Sequence, residues 1–141
     1  MYGGMNGYNR YLETAVETAS HARLIVMLYD GAIRFVNAAI DAIENRQYEQ
    51  QNYYFQRAQK ILAELISSLD FTKGGEIAEN LFRLYTYMYS QLVEANLQDS
   101  TERAQYVVSL LTELREAWET VASQGEGASA PVAPGKVSLH G

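Results

Sequence analysis

Beyond position 20 the polar residues of the chain fall at a helical spacing. Arg23, Asp30, Arg34, Asn37, Asp41 and Glu44 follow at steps of seven, four, three, four and three, which at about 100° per residue draws one narrow stripe down a helix. Ile25, Leu28, Ala32, Phe35, Val36, Ala39 and Ile43 take the opposite, wider face, the face an amphipathic helix buries. The same stretch, LIVMLYDGAIRFV, holds Asp30-Gly31 between apolar runs, a signal for a β-hairpin. A hairpin would scatter the polar stripe, so the pattern predicts one helix from Ser20, a suitable N-cap, to about Glu44. Gly31 then sits mid-helix at a cost of about 1 kcal/mol relative to alanine. It shares a flank with Ala38 and Ala42, which fits a close neighbouring backbone. A bundle helix or a guest peptide could be that neighbour, the bundle helix being favoured.

Three further stripes follow. Helix two is predicted from near Glu49, with Phe55, Ala58, Leu62, Leu65 and Leu69 at alternating steps of three and four, a seam pattern. It stops in LDFTKGG, where Gly74 and Gly75 suit a helix end and turn. Helix three places Ile77, Leu81, Met88, Leu92 and Ala95 inward and Glu79, Arg83, Ser90 and Glu94 outward. Asp99 with Glu102 resembles a capping box ahead of helix four, whose seam is Ala104, Val107, Leu111, Leu114, Trp118 and Val121. Short connections force sequential helices antiparallel. The fold class is therefore all-α: an antiparallel up-and-down four-helix bundle over residues 20–122. A short N-terminal cap segment over 1–19 precedes it, and a flexible tail over 123–141 follows, too poor in large apolar groups to fold.

Composition narrows the function. The 141 residues suit one domain with one core, and the only two prolines lie in the last dozen positions. Cysteine is absent, which removes disulfides and thiolate chemistry. No secretory leader is expected at MYGGMNGYNRYLE, and no run is long enough for a membrane span. The expectation is a cytoplasmic protein without membrane insertion. A net charge of −6, with eleven Lys and Arg among seventeen acids, argues against nucleic acid, which needs clustered cations. A di-metal site in a bundle needs inward Glu-x-x-His pairs, and only His21 and His140 exist. No nucleotide-binding or nucleophile motif accompanies His21, so neither an enzyme nor a cofactor is expected. Tyr29-Asp30 reads as a buried or half-buried tyrosine beside a surface aspartate.

Apolar groups off the core face point instead to an interaction protein. Val26 and Met27 fall beside the polar stripe of helix one. In helix three Tyr87 lands between Arg83 and Ser90, with Phe82, Tyr89 and Val93 along one flank. Eleven tyrosines suit surfaces that are dry in one state and wet in another. The N-terminal segment carries Tyr8, Tyr11, Leu12 and Val16 at amphipathic spacing. The partner-binding set expected from these patterns is Tyr8, Tyr11, Leu12, Met27, Phe82, Tyr87 and Tyr89.

Four stretches taken together resemble the FliS family of flagellin-specific export chaperones: YNRYLETAVETAS (8–20), LIVMLYDGAIRF (24–35), AQKILAELISSLDFTKGGEIAENLFRLYTYMYSQL (58–92) and LLTELREAW (110–118). One departure is His21, where many relatives carry proline after the capping serine; this bears on helix-start rigidity. The resemblance implies a cytoplasmic chaperone of the flagellar type III export apparatus, without ATP or another cofactor. Its implied guest is the C-terminal region of flagellin, disordered in the monomer, which the chaperone keeps from polymerising and presents to the export gate as a complex. Monomer and weak homodimer both stay open, as does a helical adaptor or regulatory protein with another protein partner. A secreted cytokine-like bundle would want long crossover loops. In the chaperone reading, the N-terminal segment covers part of the groove until flagellin displaces it. Deleting residues 1–18 should then change flagellin affinity and the amide-exchange protection of the bundle; two unchanged values would refute that displacement.

Overall fold

The computed structural model describes residues 6–129. Four helices follow one another: α1 (Asn6–Glu44), α2 (Tyr48–Ser67), α3 (Phe71–Gln98) and α4 (Thr101–Ser129). The chain divides into two compact units, one of Met1–Met27 with Arg115–Gly141, the other of Leu28–Leu114.

The Leu28–Leu114 unit contains segments of all four helices and is an up-and-down bundle. Phe35 meets Tyr54 across α1 and α2, and Leu28 lies with Lys60, Ile61 and Glu64, so these helices run antiparallel. Gln51 and Asn52 at the start of α2 bond Asn96 near the end of α3, which makes that pair antiparallel as well. Its core is the expected seams meeting. Ala32, Val36 and Ala39 of α1, Phe55, Ala58, Leu62 and Leu65 of α2, Met88, Leu92 and Ala95 of α3, and Ala104, Val107 and Leu111 of α4 are all buried. Burial of each large apolar side chain contributes on the order of 2 kcal/mol. Gly31 faces α2, where a Cβ would lie 3.1 Å from Ile61 Cδ1; the neighbour is a side chain of a bundle helix and not the close backbone expected.

Several expectations are corrected. Helix one begins at Asn6 and passes through Ser20 unbroken; the propensity of ETAVETASHARL continues the helix, and Ser20 caps nothing. Val26, expected off the core, is 1 % exposed, whereas Ile77, expected inside, is 71 % exposed. Helix α3 also breaks near its start. Gly75 takes φ 50°, ψ −125° inside the helical span, so Phe71–Gly74 forms a leading turn, and the inner face beyond the break begins at Ala78 and continues through Tyr85. Gly75 thus adopts the open conformation expected of it, but α2 has already ended at Ser67. Asp70 starts α3, its carboxylate accepting from Thr72 N and Lys73 N at 3.0 Å each.

The Asp99 capping box is also replaced. Asp99 closes α3 in the left-handed region at φ 52°, and Ser100 caps α4, its Oγ accepting from Arg103 N at 3.1 Å. The α4 seam takes a step of four at its end, so that Ala122 is buried in place of Val121, which is exposed. Helix α4 runs to Ser129 rather than stopping near 122, and the remaining tail, 130–141, lies outside the described residues.

Inside the Leu28–Leu114 unit the hydroxyls of Tyr29 and Tyr85 hydrogen-bond to each other, both residues being buried. Burial pushes the Tyr85 hydroxyl above its ordinary pKa, opposed by the bond to Tyr29, so it is a neutral donor or acceptor at neutral pH. Tyr29→Phe would leave the Tyr85 hydroxyl without this partner. A buried polar group so orphaned costs about 1–3 kcal/mol, and urea unfolding at neutral pH should show a loss of that size, with the Tyr29→Phe/Tyr85→Phe double variant losing less than the sum of the singles.

Candidate partner-binding surface

Two apolar surfaces of the Leu28–Leu114 unit lie outside its core. The first is on α3. Phe82 and Tyr89, seven residues apart and so on one side of the helix, are both exposed. Phe71, in the turn before the Gly75 break, meets Phe82 edge to face with ring centroids 6.0 Å apart. The break is what lets Phe71 turn towards Phe82, since a straight helix would set the two residues about 20° apart in azimuth but some 16 Å apart along its axis.

The second is the groove between α1 and α2. Leu28, Phe35 and Ile61 line it together with Arg57, Lys60 and Glu64, around a volume of about 330 Å³. Phe35 stacks on Tyr54 at 6.2 Å, and Tyr54 meets Tyr53 edge-on at 5.3 Å. The Arg57 guanidinium lies 5.2 Å from the Phe35 ring centre and 5.9 Å from that of Tyr53, within cation–π range.

Of the residues expected to bind a partner, the structure brings Phe82 and Tyr89 together on the α3 flank. Tyr87 is exposed as expected, but at about 100° per residue it stands some 150° round the helix from both. Met27, 59 % exposed, and Tyr11, also exposed, belong to the other unit, on nearly opposite sides of α1. Tyr8 and Leu12 are in the first turns of α1, and their side chains lie outside the described residues. The ring cluster of Phe35, Tyr53, Tyr54 and Arg57 escaped the sequence reading, as did exposed Leu24 and Leu97. A signal existed in the Tyr53-Arg57 pair at i,i+4 off the α2 seam, but such a pair is common on solvated helix faces.

In the unit formed by the chain ends, α1 and α4 are joined by charge. Arg23 donates to both Glu119 carboxylate oxygens, Nη1 to Oε1 and Nη2 to Oε2, each at 2.8 Å. Ser123 Oγ donates to Oε2 at 2.8 Å, and Arg115 Nη2 lies 3.5 Å from Oε1. Such a fork is stronger and more directional than a single-point ion pair. His21 and Trp118 pack edge to face beside it, centroids 6.2 Å apart. Among the described residues no cluster of three or more His, Cys, Asp or Glu could hold a metal ion, and no helix is long and apolar enough to cross a membrane.

Several polar side chains make caps and interhelix bonds, while large rings stand on the outside. That is the make-up of a helical interaction protein. The comparisons agree. Residues 4–125 match the family model described as "Flagellar protein FliS". The chain is 40 % identical over 114 residues to the flagellar secretion chaperone FliS of Campylobacter jejuni, covering 81 % of this chain and 89 % of that one. It is 35 % identical to the chaperone of the same name in Bacillus subtilis, over 81 % of this chain and 84 % of that one. With that of Salmonella typhimurium the identity is 37 %, over 78 % of this chain and 82 % of that one. The chain belongs to the FliS family of flagellar secretion chaperones.

The hydrogen bonds from Arg23 and Ser123 hold the Glu119 carboxyl down from 4.5 to about 2. Between those values the unfolded chain binds the extra proton, so stability must rise with pH there. The stabilisation from this pair is complete above pH 4.5 and fades as pH falls towards about 2. Glu119→Gln should lower the melting temperature modestly at neutral pH and converge with the parent at the acid end of a pH series. A constant offset across that range would contradict the assignment.

Proposed function

We propose that this chain is a cytoplasmic export chaperone that binds flagellin, keeps it from polymerising prematurely and delivers it to the flagellar export gate as a complex. The family match along residues 4–125 carries this reading, and the rings on the outer faces of the helices support it. Phe71, Phe82, Tyr87 and Tyr89 of α3 are all exposed, an arrangement that costs solubility unless a partner covers them in a working state. Flagellin's C-terminal region is the proposed guest, engaged as an amphipathic segment that orders on the helical surface. Ordering consumes part of the interaction energy, which leaves the net affinity moderate and the cargo releasable. No covalent chemistry and no cofactor enter this cycle.

Phe82, Tyr87 and Tyr89 are proposed contacts on α3, and Tyr11 and Met27 on α1, with Tyr8 and Leu12 assigned to the same role by their spacing. Titrating a C-terminal fragment of the same organism's flagellin into the full chain should give saturable heat and a negative heat-capacity change. Tyr87→Ser should weaken that binding by about tenfold, in the range of an interface ring truncation, while the melting temperature stays within a few degrees. A large loss of melting temperature would return Tyr87 to the packing of the free protein.

A further inference from the structure

We infer that the α1/α2 groove of the Leu28–Leu114 unit is a docking slot that reads the charge order of an amphipathic helix in the cargo. It accepts acidic side chains at its Arg57/Lys60 end and disfavours them at its Glu64 end. The identity of the cargo rests on the export-chaperone reading above; the place and the charge rule rest on the groove itself.

Three observations carry it. The lining is apolar along its length, with Phe35 at one end, Leu28 at the other and Ile61 between, and all three are only partly covered. A volume of about 330 Å³ fits a few side chains from one face of a helix and not a folded domain. Second, the rim is charged in a fixed order. Arg57, Lys60 and Glu64 stand at steps of three and four on one side of α2, so along the helix axis Arg57 is about 10 Å and Lys60 about 6 Å from Glu64 at 1.5 Å per residue. Neither Arg57 nor Lys60 has a carboxylate at ion-pair distance among the described residues, in a chain whose net charge is −6. Third, Arg57 rests against aromatic rings. Its guanidinium lies over the Phe35 and Tyr53 rings at 5.2 and 5.9 Å, and those rings brace each other through Tyr54. An arginine held this way loses less freedom when it meets a carboxylate, and the adjoining rings shield the pair from water.

The matching occupant is a helix with an apolar stripe and an acidic residue beside it. Two turns along the same flank, opposite Glu64, it carries a basic or neutral residue. Charge at such a rim governs choice of partner and rate of encounter more than raw affinity.

The experiment titrates the flagellin C-terminal fragment into the full chain and into Arg57→Glu/Lys60→Glu, Arg57→Gln/Lys60→Gln and Glu64→Lys, at low and at high NaCl. The three rim residues are exposed, so melting temperatures should stay near that of the parent, and the glutamine pair serves if the reversal perturbs folding. The reversal should weaken binding by at least about tenfold at low salt, and the gap should narrow at high salt, where exposed charges are screened. Glu64→Lys should bind equally or more tightly. Equal binding by parent and reversal overturns the slot while the chaperone reading stands. No binding by the parent removes both. A reversal that alters sedimentation of the free chain but not cargo binding makes a second copy the occupant and overturns the inference.

Discussion

The bond between the Tyr29 and Tyr85 hydroxyls is the constraint on which the arrangement of the Leu28–Leu114 unit turns. Two phenolic groups inside an apolar core are tolerable only when each finds a partner, because an unbonded buried hydroxyl costs more than a good bond returns. The bond therefore selects one register of α1 against α3 out of the several that apolar packing alone would accept. Around it the seams of α2 and α4 supply the bulk of the burial, which is non-directional and could not by itself choose between neighbouring registers. Gly31 packs tightly on α2 in turn, a Cβ there lying 3.1 Å from Ile61 Cδ1.

The helix ends are set by local chemistry in the same spirit. Asp70 and Ser100 each accept backbone N–H groups of the first turn that follows them, and Asp99 enters the left-handed region to close α3. Its carboxylate also accepts from Gln51 Nε2 at 2.8 Å, so one residue ends a helix and ties that end to the start of α2. The connections stay short and the helices pack antiparallel as a result, leaving their outer faces free of long loops. Those faces are where Phe71, Phe82, Tyr89 and the Phe35–Tyr54 stack stand.

Such a surface suits a chaperone whose task is temporary cover. Rings with a polar edge bind apolar segments without requiring a fixed sequence, and charges along a groove add direction without adding much affinity. In the proposed cycle the cargo shields the rings and the rings shield the cargo.

The periodicity of apolar and polar residues determined the four helices, their order, most core positions and the off-core placement of Met27, Phe82, Tyr87 and Tyr89, because a 3.6-residue repeat is written directly in the spacing. The joint pattern of four stretches also carried the family. The breaks in that repeat were decided by tertiary structure. Ser20 has the chemistry of a cap, but a serine caps only where the backbone departs from the helix, and here nothing turns it. Just beyond the Gly75 break Ala78 is buried and Ile77 exposed, which the spacing alone did not announce. Asp99 lost the cap to Ser100 because closing α3 and holding Gln51 leave it in a conformation that cannot start α4. The ring cluster around Arg57 arises where α1 meets α2, and its partners are about twenty residues apart in the chain. Spacing determines what one helix can bury; only the meeting of helices decides which residues touch and which faces remain for a partner.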